Sequence, residues 1–123
     1  MAYNRRSTVA AQVTLTNANT NYNLQTLVQA VLDAEGGTAT GGVVPGMVRQ
    51  VVVQSHPGIG GSGANTADVL LGDGLLSTTR MGVVLPVGSN WADRSNTNNV
   101  AWGDLYARSA TAGQKLNIFV TLG

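Results

Sequence analysis

The chain has 123 residues, a formal net charge of +1, 11% charged and 5% aromatic residues, and no cysteine. That length suits one domain with a real core, without room for separate catalytic and regulatory domains. The charge balance gives no footprint for nucleic acid or an anionic membrane, and the missing cysteines exclude disulfides and thiolate metal sites.

Sixteen glycines and an abundance of Asn, Thr, Ser, Ala and Val fit β-structure with an uncharged polar surface and many tight turns. The aliphatic content argues against disorder of the whole chain. Without cross-links, stability has to come from packing or from oligomerisation.

Residues 1–7 read as a flexible polar arm carrying the one basic cluster, Arg5-Arg6. No apolar h-region follows it, so a secretory signal is not expected, and no run approaches the roughly 20 apolar residues that cross a bilayer. Val9, Ala11, Val13 and Leu15 then alternate with polar or small residues as in a first strand, which Asn17 to Asn21 end. Leu24, Leu27, Val28, Val31 and Leu32 form one apolar helical face. Asn23 is placed to cap that helix, Tyr22 and Leu27 to staple it, and Gly36-Gly37 to stop it. Gln25, Gln29 and Asp33 fall on its outer side. The polar face lacks the Lys and Arg of a membrane-surface helix, so a helix laid against a sheet or a neighbouring subunit is expected.

A Gly/Thr/Ala/Val linker follows and ends at Pro45-Gly46, the best internal boundary. Beyond it, residues 48–54, 67–71, 82–87 and 105–109 read as strands. Leu116, Ile118, Val120 and Leu122 mark another at strict period two. Turn signals at Gly72-Asp73-Gly74, Pro86-Val87-Gly88, 96–99 and Ala112-Gly113 are spaced as in an antiparallel sandwich. With one helix visible, a parallel α/β sheet lacks its crossovers. The expected fold is an all-β antiparallel β-sandwich, jelly-roll-like, with one N-terminal amphipathic helix. The single domain would span 8–123, with strand, helix and linker in 8–46 and the jelly-roll core in 47–123.

Gly58-Ile59-Gly60-Gly61-Ser62-Gly63 matches the dinucleotide fingerprint G-x-G-x-x-G, but a strand pattern follows where that motif needs a helix. A hairpin loop is the better account. His56 is the only histidine. As a general base it would need a nucleophile and an orienting carboxylate; no G-x-S-x-G elbow occurs, and no second His or Cys could complete a zinc site with it. Asp68, Asp73, Asp93 and Asp104 are dispersed and read as turn carboxylates, without a calcium-loop pattern. Neither an enzyme nor a cofactor or metal is expected. Trp91 and Trp102 flank the polar run 94–99; exposed aromatics there would make a sugar platform or a subunit contact, while the stronger reading makes at least one of them a core or interface residue. Tyr106 and Arg108 share one strand face and are candidates for partner contact.

The segments Val69-Leu70-Leu71-Gly72-Asp73, Leu76-Ser77-Thr78-Thr79, Gly82-Val83-Val84-Leu85-Pro86-Val87-Gly88, and Asp104-Leu105-Tyr106-Ala107-Arg108-Ser109 to Gly113 followed by Leu116 to Val120 form a recurring arrangement of strands and turns. Together they resemble the small jelly-roll modules of tailed-bacteriophage virion proteins. The resemblance covers about residues 47–123 and rests on turns and strands. It implies a capsid decoration or cement protein, a head fibre, or a neck or tail component, made in the host cytoplasm and carried on the virion surface. The implied partners are the major capsid protein and copies of the chain itself, as a homotrimer or similar ring, with no nucleic acid or membrane. Tyr3, Arg5 and Arg6 in the arm would grip the capsid or a neighbour. The alternative is a carbohydrate-binding module, or a tail or neck component, that contacts the host surface.

Overall fold

The computed structural model describes residues 8–35, 43–59, 63–97 and 99–122. The expected arm at 1–7 and the Gly36-Gly37 stop lie outside them. The described strands are β1 (Thr8–Leu15), β2 (Tyr22–Asn23), β3 (Gln50–Ser55), β4 (Val69–Gly72), β5 (Val83–Leu85), β6 (Asn90–Arg94), β7 (Tyr106–Arg108) and β8 (Gln114–Thr121). Among the described residues one α-helix, α1 (Leu24–Ala34), lies between β2 and β3, and a 3-10 turn spans Trp102–Asp104.

Two four-stranded antiparallel sheets form, in the orders β1-β8-β3-β6 and β2-β7-β4-β5. The period-two pattern of β8 explains the first sheet: Leu116, Ile118 and Val120 point inward, with Val9 and Val13 of β1 and Val51 and Val53 of β3 beside them. Val69, Leu71, Leu85 and Ala107 supply the opposing apolar layer from the second sheet, and all belong to one core. The result is a sandwich-like all-β fold.

The helix begins where its cap is expected. Asn23 has extended backbone geometry, and its side chain accepts a hydrogen bond from the Thr26 N–H at 3.0 Å. Leu24, Val28 and Leu32 are buried at a spacing of four, and the helix packs along β1. Gln25 and Gln29 are not idle outer residues. The Gln25 Nε2 donates to the Val44 carbonyl at 2.7 Å, and the Gln29 Oε1 accepts from the Val44 N–H at 2.8 Å. Two glutamines thereby hold the chain that returns from the helix, and Val44 enters the core.

Strand limits differ from expectation where backbone chemistry intervenes. β5 stops at Leu85 because Pro86 has no N–H to give a ladder, and a turn closes through the Ser89 N–H to the Pro86 carbonyl. Gly82, ahead of that strand, has φ +63°, and a Cβ there would run into the Leu71 carbonyl oxygen, so only glycine fits. β2 and β6 were not foreseen. β2 is two residues long, and in β6 Trp91 alone turns a large apolar side chain toward the core. The expected strand at 48–54 begins two residues later, with Val48 making an isolated bridge to Val100.

Candidate functional site

Register determines what the outer face of the β1-β8-β3-β6 sheet presents. Pairing aligns Gln12 of β1 with Asn117 of β8, Asn117 with Gln54 of β3, and Gln54 with Asn90 of β6. Four neutral amides thus form one rung across all four strands. Two positions along each strand, on the same face, the next rung reads Ala10, Phe119, Val52 and Ala92. Phe119 is 43% exposed in the middle of the sheet.

The amide rung is internally bonded. The Gln12 Nε2 donates to the Asn117 Oδ1 at 3.0 Å, and the Asn117 Nδ2 donates to the Gln54 Oε1 at 3.1 Å. Both donor nitrogens also face the His56 Nδ1, at 3.4 Å from Gln12 and 3.0 Å from Asn117. Amide nitrogens only donate, so this Nδ1 serves as acceptor and the neutral imidazole carries its proton on Nε2. His56 is 1% exposed, and its Nε2 has no hydrogen-bond partner among the described residues. The histidine supports the surface amides, and among the described residues no hydroxyl or carboxylate hydrogen-bonds its ring.

The two rungs line a shallow groove of about 480 Å³ whose walls carry no charged side chain. The cations Arg94 and Lys115 stand on the same face, one rung further out at either end. Mixed donors and acceptors beside an aromatic ring suit a neutral, hydroxyl-rich ligand better than an anion.

The segment after β3 is stitched to β8 through side chains. The Asn65 Nδ2 donates to the Lys115 carbonyl at 2.7 Å and to the Ser55 Oγ at 3.0 Å, while its Oδ1 accepts from the Lys115 N–H at 2.7 Å. Asn65 thereby gives β8 the donor and acceptor that another strand would supply. In return the Gln114 Oε1 accepts from the Thr66 and Ala67 N–H groups. At the start of the glycine-rich motif Gly58 has φ +84°, and a Cβ there would sit 2.7 Å from the Ala64 nitrogen. No helix opens after Gly63 among the described residues; the chain proceeds to β4.

The residues singled out from sequence are dispersed. Tyr3, Arg5 and Arg6 lie outside the described residues. Trp102 is 1% exposed, with its Nε1 donating to the Pro45 carbonyl at 2.7 Å, so it offers no surface to a partner or a sugar. That corrects the expectation of a contact residue: a large ring at the centre of the core does more by burial than at the rim. Trp91 continues the inward rung Ala11, Ile118 and Val53 at the β6 edge and packs on the core half-buried. Tyr106 and Arg108 do share the outer face of β7, but the loop after β4 engages them. The Arg108 Nη1 donates to the Leu76 carbonyl at 3.2 Å and the Asn21 Oδ1 at 3.4 Å, and the Tyr106 ring lies against Gly74.

Asp73 pairs with Arg80 across that loop. The Leu75 N–H, and then the Arg80 guanidinium, hold its carboxyl below the ordinary value. Among the described residues no three acidic or imidazole side chains gather into a metal-binding group, and no helix is long and apolar enough to cross a membrane.

A second surface lies on the other sheet. Among the described residues β5 pairs only with β4, and no strand lies on its other backbone edge. Val83, Val84 and Val87, with Met81 before them and Leu75 in the preceding loop, are between 42% and 68% exposed. The chain is uncharged from Met81 to Ala92, so the edge lacks the charges that commonly protect such strands from pairing. Comparison with known proteins finds no matching family model, no matching curated protein and no matching solved structure.

Proposed function

We propose that the fold is an eight-stranded jelly roll and that the protein is a structural component of a tailed-bacteriophage virion, decorating or stabilising the capsid. The strand pairing supports the fold assignment. The first strand pairs with the last, the second with the seventh, the third with the sixth and the fourth with the fifth. That is one long hairpin; rolling it up brings β3 against β8 and β4 against β7, the two remaining pairs.

The observation that carries the assembly reading is the uncharged apolar border at β5. A monomer gains nothing from leaving Met81, Val83, Val84 and Val87 in water beside an unpaired edge, whereas a subunit that docks there buries them. The partners are the major capsid protein and copies of the chain itself in a ring, with a trimer as the expected form. Arg5 and Arg6 supply the charged anchor of the attachment.

Quantifying the protein in purified particles tests the proposal. A copy number near the number of capsid symmetry positions agrees with it. Six or twelve copies would move the protein to the neck or tail, and absence from particles would end the virion reading.

A further inference from the structure

We infer that the outer face of the β1-β8-β3-β6 sheet is a binding site for a neutral saccharide. Strands about 4.8 Å apart make the four-amide rung roughly 14 Å long, enough to follow a short oligosaccharide. The internal bonds of the rung leave specific groups over. The Gln12 Oε1 is an acceptor, the Gln54 Nε2 is a donor, and both polar atoms of the Asn90 side chain have no partner among the described residues. Sugar hydroxyls both donate and accept, and this row offers both.

His56 fixes the orientation of two of the four amides, Gln12 and Asn117. By accepting from Gln12 and Asn117 at once, the buried imidazole sets which end of each amide faces its neighbour, and so which end is left for a ligand. Beside the amides, Phe119 stands between Ala10 and Val52, side chains smaller than its ring, and so offers a flat apolar surface to the C–H face of a sugar. The groove volume falls among those of small-ligand sites, about 300–1,000 Å³.

The alternatives fit less well. An apolar partner would bury the spare amide groups unsatisfied. A second copy of the same face would set Arg94 and Lys115 against the same cations. An anion finds no cation in the groove lining itself. The site does not depend on the virion reading: saccharide binding and packaging into particles are measured separately, and either can fail alone.

The test is an array of neutral and acidic oligosaccharides followed by calorimetric titration with any that bind. A neutral oligosaccharide should bind, and Phe119→Ala and Asn90→Ala should each weaken it about tenfold with an unchanged melting temperature. Four results would overturn the inference: silence on the whole array, binding of acidic glycans alone, undiminished affinity in both variants, or an oligomer that Phe119→Ala dissociates in light scattering, which would make this face a contact between copies.

Discussion

In the β1-β8-β3-β6 sheet the strands are 8, 8, 6 and 5 residues long, whereas in the β2-β7-β4-β5 sheet they are only 2, 3, 4 and 3. The long ladders hold themselves together through backbone hydrogen bonds, so the outer side chains are available for other uses. The short ladders instead draw polar side chains into the fold. Asn21 donates to the Gly74 and Leu76 carbonyls, Arg108 donates to Leu76, and the Ser109 Oγ donates to the Asp68 carbonyl. Outward polar residues therefore do different work on the two sheets: on the second they tie neighbouring loops down, and on the first they bond within their own row and leave spare groups facing outward.

The largest effect is expected in the core that both sheets share. Trp102→Ala removes a fully buried ring and orphans the Pro45 carbonyl, and should cost about 3–5 kcal/mol in urea denaturation. A cost below about 1 kcal/mol would show that the ring is not packed as described. Next comes a pair of variants that compares the outer faces. Arg108→Ala breaks two ties to neighbouring loops and should cost about 1–2 kcal/mol, while Phe119→Ala on the long-stranded sheet should stay within about 0.5 kcal/mol. Equal losses would erase the distinction between the two sheets.

The smallest effect concerns the turn after β4. The Asp73 carboxyl is held below its ordinary value chiefly by the Leu75 N–H and then by Arg80. Its contribution is therefore present above the unfolded-state value of about 3.9 and is lost as pH falls through the lower folded value. Following the carboxyl by NMR should show the depressed titration, and Arg80→Ala should restore only part of the shift, because the backbone donor remains.

This division also explains what could be read from the amino-acid order. β1, β3 and β8 carry alternating apolar residues because one of their faces is buried along the whole length, and α1 carries its cap and apolar stripe locally. β2 and β6 left no such pattern: a two-residue strand has no period, and an edge strand held by backbone pairing needs little more than Trp91 to face the core. The candidate site was illegible for a related reason. Gln12 and Asn117 are 105 positions apart, and nothing near either one announces the other; only the register of β1 on β8 brings them together. Tyr106 and Arg108 were correctly placed on one face, but sequence could not show that the loop ending at Gly82 would occupy it. One of the two tryptophans was expected in the core, but the polar run beside both could not say which; the 3-10 turn carries Trp102 inward.

The assembly account depends on the apolar border at β5, and attachment of purified protein to particles stripped of it tests that most directly. Wild-type protein should rebind to saturation, whereas Val84→Lys, which changes a 42%-exposed side chain, should keep its melting temperature and lose at least about tenfold in affinity. Rebinding of Val84→Lys as tight as wild type would contradict the claim that this edge is the surface through which the protein assembles.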